Sequence, residues 1–375
     1  MKNIVKKLIK DPVLMAAWAL AIVSMFYVHP DKQYIKYIDF RSLGILWSLM
    51  VVIQGLKENS VFEKIAMKLL TKVGNSFQLA LTLILMCFFG SMLITNDVAL
   101  ITFVPFALML LHSCNRDDLA IMVVVLQTIA ANLGSMLTPI GNPQNLYLYG
   151  ETKMGLLSFV LTLLPYTLLT ALLLLVGVFM LPKNKSKIEL NGDVFTTSGF
   201  GSKLQISIYM VLFAIAILTV VRVIPWQVMA IITFVVVLGM DYKILFRADY
   251  ILLLTFVGFF IFTGNAGRIE SIQKALESIV SGREFFVSIA ASQVISNVPA
   301  TLLLYKFSTN YTELLRGVNV GGLGTLIASM ASLISYKSFS NAYPDKKGTY
   351  FLKFTLVNIN FLVIMIGLHT VLSAF

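Results

Sequence analysis

Charge and reactive side chains are scarce in this chain. Only 13% of its 375 residues are charged, against about 25% in an ordinary soluble domain. There are two cysteines, Cys87 and Cys114, and three histidines, His29, His112 and His369. The cysteines lack metal or redox spacing and are expected to pack. The histidines are dispersed, which predicts interface or packing roles. There is no GxxxxGK[ST] or GxGxxG loop, no HExxH and no nucleophile–base arrangement. These absences argue against ATP drive within the chain and against an enzyme. The N-terminal stretch "MKNIVKKLIKDPVLMAAWALAIVSMF" has no small-x-small cleavage site, so it reads as an uncleaved first helix.

What is abundant is apolar. The chain is 58% hydrophobic, with mean hydropathy +0.86. Runs such as 156–181, "LLSFVLTLLPYTLLTALLLLVGVFML", exceed the roughly 20 residues that span a bilayer. A transmembrane barrel would show short alternating segments instead. The chain therefore reads as an all-α polytopic membrane protein with the lipid bilayer as its surroundings. The net charge of +11 reads as basic cytoplasmic loops, not as a nucleic-acid surface.

Crossings are expected near 13–28, 41–56, 119–149, 155–181, 204–221, 226–240, 248–264, 316–337 and 350–374. The apolar stretches 77–111 and 284–306 differ in kind. Pro12 and Pro182 mark helix boundaries. Residues 182–225 read as a cytoplasmic linker and a linking helix, between a first repeat over 1–181 and a second over 226–375. If the N-terminus is cytoplasmic and each special stretch enters and leaves by one side, 19 of the 29 basic residues lie inside. That bias favours this orientation in the cytoplasmic membrane, with the C-terminus outside.

The halves share a pattern. A crossing begins at Asp39 or Asp249. An amphipathic stretch follows, with Val61, Ile65, Leu69, Phe62 and Ala66 on one face, or Ile269, Ile272, Leu276 and Ile279. Such segments lie in the membrane interface. Then comes an asparagine-bearing apolar stretch, and then a crossing with a small-residue break. Leu133-Gly134-Ser135 aligns with Leu323-Gly324-Thr325. One linking helix between units of equal crossing number inverts the second, which predicts an inverted-topology repeat of the secondary-transporter kind.

The stretch 77–111 carries Asn96-Asp97 near its middle, where a carboxylate is costly. Two short half-helices meeting at a re-entrant tip would place these residues against a cavity. Thr95, Asn96 and Asp97 suit such a tip because their side chains cap the next half-helix. The stretch 284–306 repeats this with Ser296-Asn297 and Pro299. In 119–149, "TPIGNPQN" (138–145) cannot continue a helix: Pro139, Gly141 and Pro143 stop it, and Asn142, Gln144 and Asn145 offer amides. In 316–337, Gly321, Gly322, Gly324 and Thr325 loosen the helix, with Ser329, Ser332 and Ser335 as hydroxyls. Unwound carbonyls can ligate a small cation, and half-helix N-termini can face an anion.

"ITNDVALITFVPF", "GNPQNLYLYG", "ISNVPATLLLY" and "GGLGTLIASMASLISYK" together resemble the ion transporter superfamily, across roughly 39–150 and 248–340. That group holds arsenite-pump membrane subunits, citrate transporters and sodium-coupled dicarboxylate symporters. In the dicarboxylate symporters, Ser-Asn-Thr tips bind carboxylate and help form sodium sites. Thr95-Asn96 and Ser296-Asn297 match the Ser-Asn pairs, while Asp97 and Val298 replace the threonines. An Asn-Asp tip is more similar to the arsenite-pump and anion-permease branches. The resemblance implies a substrate site from Thr95, Asn96, Asp97, Asn142, Asn145, Ser296, Asn297 and Thr325. It implies sodium ligation by Asn96, Asp97, Gly141, Asn297 and Gly324. The expected activity is secondary active transport of a small anion, carboxylate or inorganic oxyanion, coupled to sodium or protons, with a homodimer common in the superfamily. Cation/proton antiport, arsenite efflux and a non-transporting subunit that needs an ATPase remain the alternatives.

Overall fold

The computed structural model describes residues 11–71, 73–182 and 201–374. The basic N-terminal residues and most of the 182–203 linker lie outside those residues. So does Lys72. Among the described residues every regular element is helical. We number them α1 (Pro12–Tyr27), α2 (Tyr34–Tyr37), α3 (Phe40–Glu58), α4 (Val61–Leu70), α5 (Ser76–Gly90), α6 (Asn96–Ser113), α7 (Ala120–Ser135), α8 (Pro143–Glu151) and α9 (Leu156–Phe179). The second half holds α10 (Lys203–Val220), α11 (Trp226–Leu245), α12 (Tyr250–Ala266), α13 (Glu270–Val280), α14 (Glu284–Ile295), α15 (Asn297–Leu304), α16 (Tyr311–Val320), α17 (Met330–Ala342) and α18 (Lys347–Ser373).

Among the described residues six helices are long and apolar enough to cross a membrane: α3, α6, α9, α10, α11 and α18 with the turn before it. The outward faces of these helices carry exposed leucine, isoleucine, valine and phenylalanine, as expected where the solvent is lipid. Cap chemistry fixes several starts. Asp11 accepts from the amides of Val13 and Leu14, and Asp39 and Asp249 accept from those of Ser42 and Leu252. The two crossings that begin at those aspartates therefore start in the same way. The expected crossing 226–240 extends to Leu245 across non-helical Asp241.

The amphipathic segments form helices, with one correction. On α4 the buried stripe is Phe62, Ala66 and Leu70, while Ile65 and Leu69 are exposed. The five apolar residues expected on one face thus divide between two. The chain bends by 107° between α12 and α13, and Ile272 and Ile279 on α13 stay exposed.

The two special stretches break at their tips. The first becomes α5 and α6, joined through residues 91–95, and the second becomes α14 and α15, joined through Ser296 alone. The second arm of the first stretch is longer than a half-helix, because α6 runs 18 residues straight through Pro105. Both expected broken crossings are broken. One parts into α7 and α8, the other into α16 and α17. Pro143 opens α8 at its first position and does not end the preceding helix, a place where the missing N–H costs nothing.

The buried polar core of a candidate transport site

The two breaks meet in the middle of the protein. At the first, Asn142 caps α8 by accepting from the amide of Asn145 at 2.9 Å. Its side-chain amide donates to Ser135 Oγ and to Asn319 Oδ1. Asn145 donates to the carbonyls of Met136 and Thr138 and accepts from Asn319 Nδ2 at 2.7 Å. At the second break, Ser329 and Ser332 open α17, and both hydroxyls lie within hydrogen-bond distance of Asn132: Ser329 Oγ donates to its Oδ1 at 3.0 Å, and its Nδ2 donates to Ser332 Oγ at 3.3 Å. Each helix restart is thus held by an asparagine near the end of the opposite half's preceding helix. The pairing is reciprocal: Asn132 on α7 grips the start of α17, and Asn319 on α16 grips the start of α8.

Two further contacts repeat between the halves. A Cβ at Gly134 would meet the Phe88 carbonyl and Ser91 Oγ. One at Gly321 would meet Ser292 Oγ at 2.7 Å. Thr138 Oγ1 donates to the Met92 carbonyl, and Thr325 Oγ1 to the Gln293 carbonyl. These contacts equate Asn132, Gly134, Thr138 and Asn142 with Asn319, Gly321, Thr325 and Ser329. The pairing of Leu133-Gly134-Ser135 with Leu323-Gly324-Thr325 was therefore three residues out of register. Leu-Gly occurs at both 133–134 and 323–324, but the glycine that packs on a serine of the preceding stretch is Gly134 in one half and Gly321 in the other.

The first tip docks on the first break. The Asn96 amide donates to the Gly141 carbonyl at 2.9 Å, and Asn96 Nδ2 donates to Asn132 Oδ1 at 3.2 Å. Gly141 itself lines neither of the two cavities beside this contact. Asp97 differs from its neighbours, since no described residue makes a hydrogen bond or ion pair to its carboxylate. It lines a cavity of about 160 Å³ together with Thr95, Val98, Asn142, Pro143, Gln54, Arg247 and Asp249. At the mouth, Arg247 is paired with Glu58. Asp97 also borders a second cavity of about 10 Å³ with Asn96, Gln144, Asn297, Val298 and Ser329. That volume is about one water molecule or small ion.

The expected site residues therefore separate. Asn96, Asp97 and Asn297 converge on the small cavity, and Thr95, Asp97 and Asn142 on the larger one. Asn145 is fully buried with its amide engaged, so it secures the break. Ser296 is buried beside Asn297 at a positive φ of 73°. Gly324 and Thr325 turn away, because Gln293 accepts from the Thr325 amide and donates to the carbonyls of Gly321 and Leu323. Sequence reasoning did not single out Asn132 and Asn319. Gln144 was noted only as an amide, yet its Oε1 is buried without a partner and it borders the small cavity. Two asparagines near the ends of the helices before the breaks were the available signal. No group of three or more His, Cys, Asp or Glu exists among the described residues, so a cation here would be held by amide and backbone oxygens beside Asp97.

Of the three histidines, His112 is exposed and lies 3.1 Å from Asp117, and one is packed inside. His369 is buried, stacked on Phe285 at 3.5 Å and hydrogen-bonded to Tyr166. In the turn after α6, Arg116 forms a two-bond pair with Asp118 at 2.8 Å. That pairing holds the Asp118 carboxyl below its ordinary range.

The family model for citrate transporters matches residues 4–315. An uncharacterised transporter of Methanocaldococcus jannaschii is 32% identical over 308 residues, covering 80% of this chain and 81% of the relative. The inner membrane protein YbiR of Escherichia coli is 27% identical over 322 residues, 84% of each chain. The silicon efflux transporter LSI3 of rice, Oryza sativa subsp. japonica, is 31% identical over 147 residues, 39% of this chain and 30% of the relative.

Proposed function

The chain belongs to the citrate transporter family, and we propose that it is a secondary active transporter of a small anion coupled to sodium or protons at Asp97. The observation that carries this reading is the free carboxylate of Asp97, which faces both cavities at the first tip. A lone carboxylate in a membrane core is expensive and marks an ion path by default. The N-terminus of α8 lies at the same cavity through Asn142 and Pro143, and its partial positive charge favours an anion. A cation or proton at Asp97 would offset the charge that the anion meets there. Solute and coupling ion then move together, and alternating access follows from two inverted repeats. The reciprocal bonds of Asn132 and Asn319 support the repeat reading. The carboxylate, sulfate or other oxyanion would sit between the tips, and a homodimer in the cytoplasmic membrane, N-terminus inside, is the proposed assembly.

One observation favours a second reading. The larger cavity holds two carboxylates, Asp97 and Asp249, and its arginine is already paired with Glu58. That balance suits cation/proton antiport, and the rice relative's name adds silicon efflux to the possibilities.

Flux of citrate, succinate, sulfate, arsenite and silicic acid into vesicles under imposed sodium or proton gradients tests the proposal. We expect gradient-driven flux that Asp97→Asn lowers by about tenfold or more, the equivalent of about 1.4 kcal/mol. Gradient-driven pH change without any of these solutes would select the antiporter. Equal flux in wild type and Asp97→Asn would remove Asp97 from the mechanism.

A further inference from the structure

Caps and contacts equate a set of positions in the two halves, yet the gaps beside those positions differ. The equivalences set by caps, tips and breaks pair Thr95 with Ser296, Ile101 with Leu302 and Asn142 with Ser329. On the first crossings they pair Leu46 with Phe256, Leu49 with Phe259 and Met50 with Phe260. In the first half the 160 Å³ cavity lies between α3 and α6, lined by Leu46, Leu49 and Met50 on one side and Thr95 and Ile101 on the other. In the second half, α12 packs directly on α15. Ile101 is 42% exposed, and its counterpart Leu302 is 1% exposed. Thr95 is half-buried and Ser296 is 1% exposed.

Aromatic rings occupy the closed side. Tyr147 meets Phe256 edge-on at 6.4 Å, Phe260 at 5.6 Å and Tyr305 at 5.4 Å, and Phe256 meets Phe260 at 5.9 Å. Their counterparts on α3 are Leu46 and Met50, which leave the cavity open.

We infer that a second solute entrance runs between α12 and α15 to Ser296 and Ser329, closed here by the plug of Tyr147, Phe256, Phe260 and Tyr305. This deepens the alternating-access reading and rests on it. The entrance admits the same small solute from the opposite face. Its mouth carries Asp39, the counterpart of Asp249, and its tip has Val298 in place of Asp97. Glu151 and Lys306 stand beside Tyr305 at the same mouth, so this entrance carries charges of both signs and lacks only the carboxylate at its tip. Opening it separates α12 from α15 while α3 closes on α6.

Single cysteines test this in a Cys114→Ser background, with a membrane-impermeant thiol reagent applied to either face of sealed vesicles. Thr95→Cys should label only from the face that carries loop 246–249. Ser296→Cys should label only from the opposite face, and slowly. Replacing the plug by the open half's residues, Phe256→Leu with Phe260→Met, should speed Ser296→Cys labelling at least tenfold and slow that of Thr95→Cys. The single change Phe260→Met should move both rates in the same directions and guards against misfolding of the double variant. Labelling of Ser296→Cys from the same face as Thr95→Cys, or no change when the plug is altered, overturns the inference. Solute flux in the same vesicles separates the two ideas. The stated labelling pattern without flux keeps the entrance and refutes the transport reading, whereas flux without the pattern refutes the entrance.

Discussion

Asn132→Ala should destabilise the protein more than Asn319→Ala. Asn132 Oδ1 accepts from Asn96 Nδ2 at 3.2 Å and from Ser329 Oγ at 3.0 Å. Truncation orphans both donors, and both residues are buried. Asn319→Ala orphans only Asn145 Oδ1, because Asn142 Nδ2 keeps Ser135 Oγ. Side-chain hydrogen bonds between membrane helices average about 0.6 kcal/mol, and an orphaned buried polar group costs about 1–3 kcal/mol. The membrane value is the better guide, because these helices stay in lipid when they separate. We expect about 1.5–3 kcal/mol for Asn132→Ala and about 0.6–2 kcal/mol for Asn319→Ala. Gly322 bonds both asparagines, and Ser135 and Asn142 link them again, so the double variant should depart from additivity by about 0.5 kcal/mol or more. Unfolding in mixed micelles, followed by the fluorescence of Trp18, Trp47 and Trp226, reads all three. A larger loss for Asn319→Ala, or losses under about 0.3 kcal/mol for both, would refute the clasp.

Other substitutions probe the frame around it. A methyl at Gly141 would overlap the Ser135 carbonyl. Gly141→Ala should therefore cost at least about 2 kcal/mol and abolish flux, while Gly155→Ala, with open space around it, should be silent in the same unfolding and flux assays. Gln293→Leu removes three bonds to the segment 321–325. It should cost about 1–2 kcal/mol and speed hydrogen exchange at the Thr325 amide. The Arg116–Asp118 pair lowers the folded carboxyl's pKa, so its contribution is full above about pH 4 and lost as pH falls through the lowered folded value. Arg116→Gln should thus lower the melting temperature near neutral pH, by about 1 kcal/mol equivalent, since Arg116 is buried but its partner carboxylate is 52% exposed and screened by solvent. The gap from wild type should narrow progressively as pH falls below about 4.

Helix positions and breaks were legible because apolar length, proline and caps are local signals. The tip at Asn96 was legible because a carboxylate beside an amide has few reasons to sit in an apolar run. The clasp was hidden, because Asn132 and its partners Ser329 and Ser332 lie 197 and 200 residues apart in sequence. Thr325 was misplaced for a related reason. A hydroxyl beside a glycine looks free in sequence, and only the fold shows that Gln293 claims it. Ile65 and Leu69 were misread because a wide apolar stripe on a surface helix in a membrane faces both protein and lipid.

The clasp has a consequence for synthesis. Asn145 is translated 174 residues before its partner Asn319. At about 5–20 residues per second, the first half waits roughly 9–35 s in the bilayer with the Asn145 acceptor unmatched. For that interval the break at 136–142 has no contribution from the second half. A ribosome stalled, or a gene cut, between the halves would leave a half-protein whose buried polar core is unassembled, a natural substrate for membrane quality control. The second half then completes the first half's fold as well as its own.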